Sequence, residues 1–83
     1  MFKDLEFEPN ELGGVGAHHI FENGITISVQ ASKFAYCEPR ENLASHEFYA
    51  SFEVALWDDD GMNQIIPRQN RKEIDVLINK LNK

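Results

Sequence analysis

Eighty-three residues, 42% of them hydrophobic, carry fourteen acidic against eight basic side chains, for a net charge of −6. That length supplies one core rather than two, so a single domain over 1–83 is expected, a sheet with one covering helix. Cys37 is the sole cysteine, which excludes a disulfide-stapled secreted design and points to a reducing cytoplasm; the first residues hold no apolar leader-like run, and nothing approaches the ~20 apolar residues that span a bilayer.

The charge is uneven. Residues 1–60 hold twelve acidic and three basic side chains, whereas 61–83 hold two acidic and five basic. Most of such a surface repels nucleic acid, leaving at best a small cationic patch from Arg68, Arg71, Lys72, Lys80 and Lys83. The acidic surplus serves solubility or fits a basic partner.

Along the chain, Leu5, Glu6, Phe7 and Glu8 alternate apolar with acidic, predicting a short edge strand that Pro9 ends. Gly13 and Gly14 mark a turn before a hairpin formed by 15–21 and the strand from Ile25, with Asn23-Gly24 as its turn signal. Two registers compete there. A two-residue Asn23-Gly24 turn sets Glu22 opposite Ile25 and mixes His18, Ile20 and Glu22 with Ile27 and Val29. A three-residue Glu22-Asn23-Gly24 loop with Gly24 left-handed sets Phe21 opposite Ile25, and one face then collects Val15, Ala17, His19, Phe21, Ile25, Ile27, Val29 and Ala31. Turn statistics favour the first; burial favours the second and slightly outweighs them.

The apolar parity changes near Ser32-Lys33, where Phe34 and Tyr36 put bulk at even positions, predicting a bulge or bend. Residues 38–46, with Pro39, Asn42 and Ser45, read as an exposed loop. The stretch 47–57 is the clearest strand: Phe48, Ala50, Phe52, Val54 and Leu56 form its core face, Tyr49, Ser51, Glu53, Ala55 and Trp57 the other. Asp58-Asp59-Asp60-Gly61 ends it in a turn, and a brief strand is expected at 64–66 before Pro67. Asn70 stands three residues before Glu73, a capping-box spacing. Ile74, Leu77, Ile78 and Leu81 then fall on one stripe of a helix over 71–82, with Lys80 and Lys83 near its negative end. The expected fold is α+β, an antiparallel sheet of four or five strands with one C-terminal helix packed on one face.

No constellation identifies a reaction. His18 and His19 point to opposite faces of a strand, so a metal site built from them with His46 and Cys37 is disfavoured. Asp58, Asp59 and Asp60 lack the glycine and glutamate spacing of a calcium loop, and Pro67 stands where loop freedom is wanted. Cys37 has no visible oxyanion hole or elbow, and Gly13-Gly14-Val15-Gly16 precedes a strand rather than a helix. No catalytic residue, metal ligand or cofactor is therefore assigned. The aromatic residues on the less apolar face suggest an interface instead: Tyr36, Tyr49 and Trp57, with Asp58, Asp59 and Asp60 beside them.

Leu5 and Phe7, then Phe21, Asn23, Gly24, Ser28 and Val29, then Phe52, Glu53, Val54, Ala55 and Leu56 form a pattern that resembles small uncharacterised bacteriophage and prophage proteins. The resemblance implies a phage-encoded accessory protein in the bacterial host cytoplasm. The expected function is non-enzymatic binding to a host or phage protein, such as inhibition of a host factor or defence component. The alternative is a metal- or small-ligand-binding protein using His18, His46 or Asp58, Asp59 and Asp60. A narrower form of the binder has Glu6, Glu8, Glu41 and the three aspartates imitate nucleic acid. A homodimer is also expected, through an edge at Leu5-Glu6-Phe7 or Tyr36-Cys37 or through the face carrying Tyr49 and Trp57.

Overall fold

The structure, a computed structural model, describes residues 2–61 and 63–81. Asn82, the last expected helical position, and Lys83, expected beside the helix end, lie outside the described residues. Five strands, β1 (Glu8–Pro9), β2 (Val15–Ile20), β3 (Thr26–Ala31), β4 (Phe52–Trp57) and β5 (Asn63–Gln69), pair antiparallel in chain order, and helix α1 (Arg71–Leu81) follows. The fold is α+β, as expected.

The β2–β3 hairpin takes the three-residue loop. Phe21 N–H donates to the Ile25 carbonyl at 2.8 Å and Gly24 N–H to the Phe21 carbonyl at 3.0 Å, with Gly24 at φ +88°. Asn23 stabilises the tip twice: its Oδ1 accepts from Ile25 N–H, and its Nδ2 donates to the Leu81 carbonyl at the end of α1. In this register Ala17 faces Val29 and His19 faces Ile27, while Ile27 faces Leu56 and Val29 faces Val54. One side of the sheet therefore carries Val15, Ala17, Ile27, Val29, Phe52, Val54 and Leu56, all buried. Ile74 and Ile78 of α1 join the same cluster, and Leu77 and Leu81 pack against it. At about 1.5–3 kcal/mol per large buried side chain, the two isoleucines alone contribute roughly 3–6 kcal/mol of gross burial.

The N-terminal segment contributes to the same layer. Phe2, in a 3₁₀ turn over Phe2–Asp4, packs its ring against Phe7 and Phe52 at 5.5 and 5.2 Å. The Arg71 guanidinium lies over both Phe2 and Phe52, and its Nη2 donates to the His46 carbonyl.

Three expectations are corrected. The first strand is β1, at Glu8–Pro9 rather than 5–8; Phe7 is half-buried against the core just before it. The long strand over 47–57 begins only at Phe52, because Ser45 caps a 3₁₀ turn over His46–Phe48, accepting from Glu47 N–H, and Tyr49 N–H closes it on the His46 carbonyl. That turn resets the alternation, so Phe48 and Ala50 are exposed while Tyr49 and Ser51 are buried. Finally, β5 does not stop at Pro67. Val54 pairs with Ile66 but Phe52 with Gln69, so one extra residue is absorbed in a bulge, where Arg68 takes φ +53°. Alternating bonded pairs from Phe21–Ile25 across the sheet direct the backbone N–H side of positions 63, 65 and 67 away from β4, ahead of the bulge, so Pro67 forfeits no ladder bond.

The capping box at the start of α1 forms in both directions, Glu73 N–H to Asn70 Oδ1 at 2.8 Å and Asn70 N–H to Glu73 Oε1 at 3.0 Å. Replacing Asn70 with Ala should cost about 1 kcal/mol, read as a lower urea midpoint at unchanged m-value; a midpoint equal to that of the parent protein would contradict it.

Candidate functional site

The sheet face opposite α1 is uncovered, and antiparallel pairing lays its residues out in rows. Ile20, Thr26, Trp57 and Asn63 form the row nearest the hairpin tips; His18, Ser28, Ala55 and Ile65 the next; Gly16, Gln30 and Glu53 the third. Ile20 is 72% exposed, Ile65 53% and Trp57 37%. The His18 ring meets Trp57 edge-on at 6.2 Å, and since these residues stand on β2 and β4 they meet above β3, whose Ser28 is buried beneath. The result is a platform over the two rows nearest the tips, in which the exposed apolar side chains of Ile20, Trp57 and Ile65 stand among His18, Thr26 and Asn63.

The third row is polar and partly roofed. Gln30 Nε2 donates to Ser28 Oγ, and its Oε1 accepts from Asn10 Nδ2, so the amide spans the ground beside Gly16, where any side chain would collide with it. Tyr36 N–H donates to Glu53 Oε2 and the Tyr36 carbonyl accepts from Arg68 N–H on β5. The segment after β3 therefore crosses over β4 at Glu53 before Glu38 returns to bridge Ser51. This crossing is the bend expected near Ser32-Lys33.

The expected interface residues are thereby separated. Trp57 belongs to the platform, and Asp58, Asp59 and Asp60 stand at its tip end in a turn where Asp58 Oδ1 accepts from Asp60 N–H. Tyr36 is exposed, with Arg40 over its ring at 5.2 Å, but it sits at the far end, four residues along β4 from Trp57 and so about 13 Å away. Tyr49 is not an interface residue. It is 1% exposed, its hydroxyl accepting from Leu43 N–H at 2.8 Å and donating to the Glu41 carbonyl, and so it pins the 38–46 loop to the core. Ile20, His18 and Ile65 complete the platform; their only signal in the sequence was apolar or aromatic residues at the wrong parity for the core.

The edges differ from expectation too. The sheet ends at β1 and β5, whereas Tyr36-Cys37 is part of the crossing segment rather than a strand edge. Among the described residues no group of three or more His, Cys, Asp and Glu side chains could hold a metal. His18 lies on the uncovered face, while His46 stacks on Phe7 at 4.5 Å beside the core. Nor do the carboxylates of the imitation reading converge: Glu8 pairs with Gly16 at one end of the sheet, whereas Asp58 follows Trp57 at the other. Cys37 is buried with Sγ in donating reach of the Ser32 carbonyl at 3.2 Å, and burial pushes its thiol pKa up, the opposite of what a nucleophile needs. No helix among the described residues is long and apolar enough to cross a membrane.

Compared with known protein families, with characterised proteins and with solved structures, the chain matches none.

Tyr49→Phe removes the acceptor of a part-buried amide and should cost about 1–3 kcal/mol, with faster hydrogen exchange at Leu43; unchanged exchange there would contradict the pinning. Cys37 adds a pH dependence. The native thiol keeps its proton above the range in which the unfolded thiol loses it, so stability is full at neutral pH and declines as pH rises through the ordinary thiol range. Comparing urea midpoints at neutral and alkaline pH, the parent protein should lose more than Cys37→Ala; equal losses would exclude the effect.

Proposed function

We propose that this protein acts by non-enzymatic binding to another protein through the uncovered sheet face. The observation that supports this most directly is the platform itself. Ile20, Trp57 and Ile65 are exposed together although the other face already supplies a closed core, so folding does not account for them. A Trp flanked by aliphatic side chains on a rigid sheet is the kind of anchor on which interface energy concentrates. The resemblance to phage proteins supplies the setting: an accessory protein in the bacterial cytoplasm acting on a host factor or defence component.

Two shallow clefts among the described residues, along α1 past Lys72, Val76 and Lys80 and between Leu12 and Phe34, fit this role less well, since neither combines an aromatic anchor with several exposed apolar neighbours.

The experiment is capture from bacterial lysate by the tagged protein and by an Ile20→Ser/Ile65→Ser variant, with circular dichroism to show that both are folded. A partner retained by the parent and lost by the variant is the expected result. A partner held equally by both would place binding elsewhere.

A further inference from the structure

Resting on that reading of the face, we infer that its occupant is a basic amphipathic helix of a partner protein, lying across the strands with its cationic flank toward the hairpin tips. The two platform rows contain no Asp, Glu, Lys or Arg. Among the described residues, the charged side chains in the two turns that border them at the tips are all acidic. Glu22 stands in the β2–β3 loop and Asp58, Asp59 and Asp60 in the β4–β5 turn, and the chain has no Lys or Arg between Lys3 and Lys33 or between Arg40 and Arg68. The C-terminal end of α1, with Lys80 in its last turn, reaches the same end of the sheet through the bond from Asn23 Nδ2 to the Leu81 carbonyl, but it belongs to the helix layer on the other side.

Such a border disfavours anionic occupants, whether a phosphate backbone or an anionic lipid surface. A small cation could answer the carboxylates but would leave the apolar side chains uncovered. A peptide segment satisfies both, and the dimensions select its form. From Ile20 on β2 to Ile65 on β5 there are three strand spacings, about 14 Å, which two to three helical turns of ~5.4 Å cover. Along the strands the platform is confined to two rows, since the Tyr36 crossing covers Glu53. That leaves a strip about as broad as one helix of ~10 Å diameter. A helix laid across it meets Ile20, Trp57 and Ile65 with apolar residues at i, i+3 or i+4, and i+7. Its flank then passes Glu22 and the three aspartates in turn, which calls for Lys or Arg on that side alone.

Trp57 is the only tryptophan of the chain, so its emission reports directly on the face. The probes are two synthetic helical peptides, one of leucine with lysine along one flank, the other with glutamate in place of lysine. The leucine–lysine peptide should blue-shift Trp57 emission and bind more weakly as salt rises. Asp58→Asn/Asp59→Asn/Asp60→Asn should weaken it about tenfold, whereas Glu8→Gln/Glu11→Gln/Glu47→Gln, which removes equal charge away from the tips, Glu8 standing beside Gly16 at the far end of β2, should leave it nearly unchanged. Equal losses in the two triple variants, equal binding of both peptides, or no shift with the lysine peptide would overturn the inference. So would light scattering that shows the free protein to be a dimer lost in Ile20→Ser/Ile65→Ser, since a second copy would then be the occupant. If both peptides bind equally and both are lost in that double variant, the platform reading stands and only the basic partner falls.

Discussion

The pairing of Phe21 with Ile25 around a left-handed Gly24 decides which side of each strand is dry. Side chains alternate with a period of two, so a slip of one residue would carry His18 and Ile20 inward and Val15, Ala17 and Phe21 outward on β2. Because β3 pairs with β4 and β4 with β5, that first register also determines that Ile27 meets Leu56 and that Trp57 is left on the opposite side. Glycine bears the cost of the loop: φ near +88° is strained for an L side chain, while no neighbouring atom would obstruct one. The constraint is conformational rather than steric. Asn23 then links this turn to the end of α1, so the loop that sets the sheet's parity also locates the last turn of the helix that covers it.

Where a segment's structure follows from its own neighbours, the sequence was legible. The hairpin, the helical stripe of Ile74, Leu77, Ile78 and Leu81, and the Asn70–Glu73 capping box are all relations within a few residues, and each is present. What escaped depends on distant partners. Strand alternation over 47–57 looked unbroken because Phe48 and Ala50 fit the apolar parity, but Ser45 offered a local cap and the buried hydroxyl site formed by Glu41 and Leu43 drew Tyr49 inward. Phe2 gave no periodic signal, yet Phe7, Phe52 and Arg71 enclose it from three separate parts of the chain. Pro67 argued for a strand end, and only its place on the outward side of an edge strand makes it harmless.

The site was legible to a similar degree. Trp57 and the three aspartates are contiguous in sequence, and a strand that ends in a turn must keep them together. Tyr36 and Tyr49 were grouped with them on residue type alone, and the chain's bend and the 3₁₀ turn sent one to the far end of the face and the other into the core. Ile20 and Ile65 come from two other strands, and their neighbourhood with Trp57 exists only through the pairing of Ile20 with Thr26, Thr26 with Trp57, and Ala55 with Ile65.

An uncovered apolar face on a small sheet invites association with any other apolar surface, and the way its borders are built bears on which associations survive. At one lateral edge β1 offers only Glu8 and Pro9, and at the other β5 carries Pro67 and the Arg68 bulge, devices that discourage a further strand from adding. At the tips, carboxylates of one sign would face their counterparts if two copies met with their tips aligned, and a net charge of −6 opposes the remaining arrangements at long range. With the cationic partner proposed above, the same groups would attract it from solution and orient it before the apolar side chains make contact, so that one set of charges would both oppose self-association and select what covers the face. Selection by repulsion of this kind costs folding little where the carboxylates are exposed outside the core cluster, as those of Asp59 and Asp60 are.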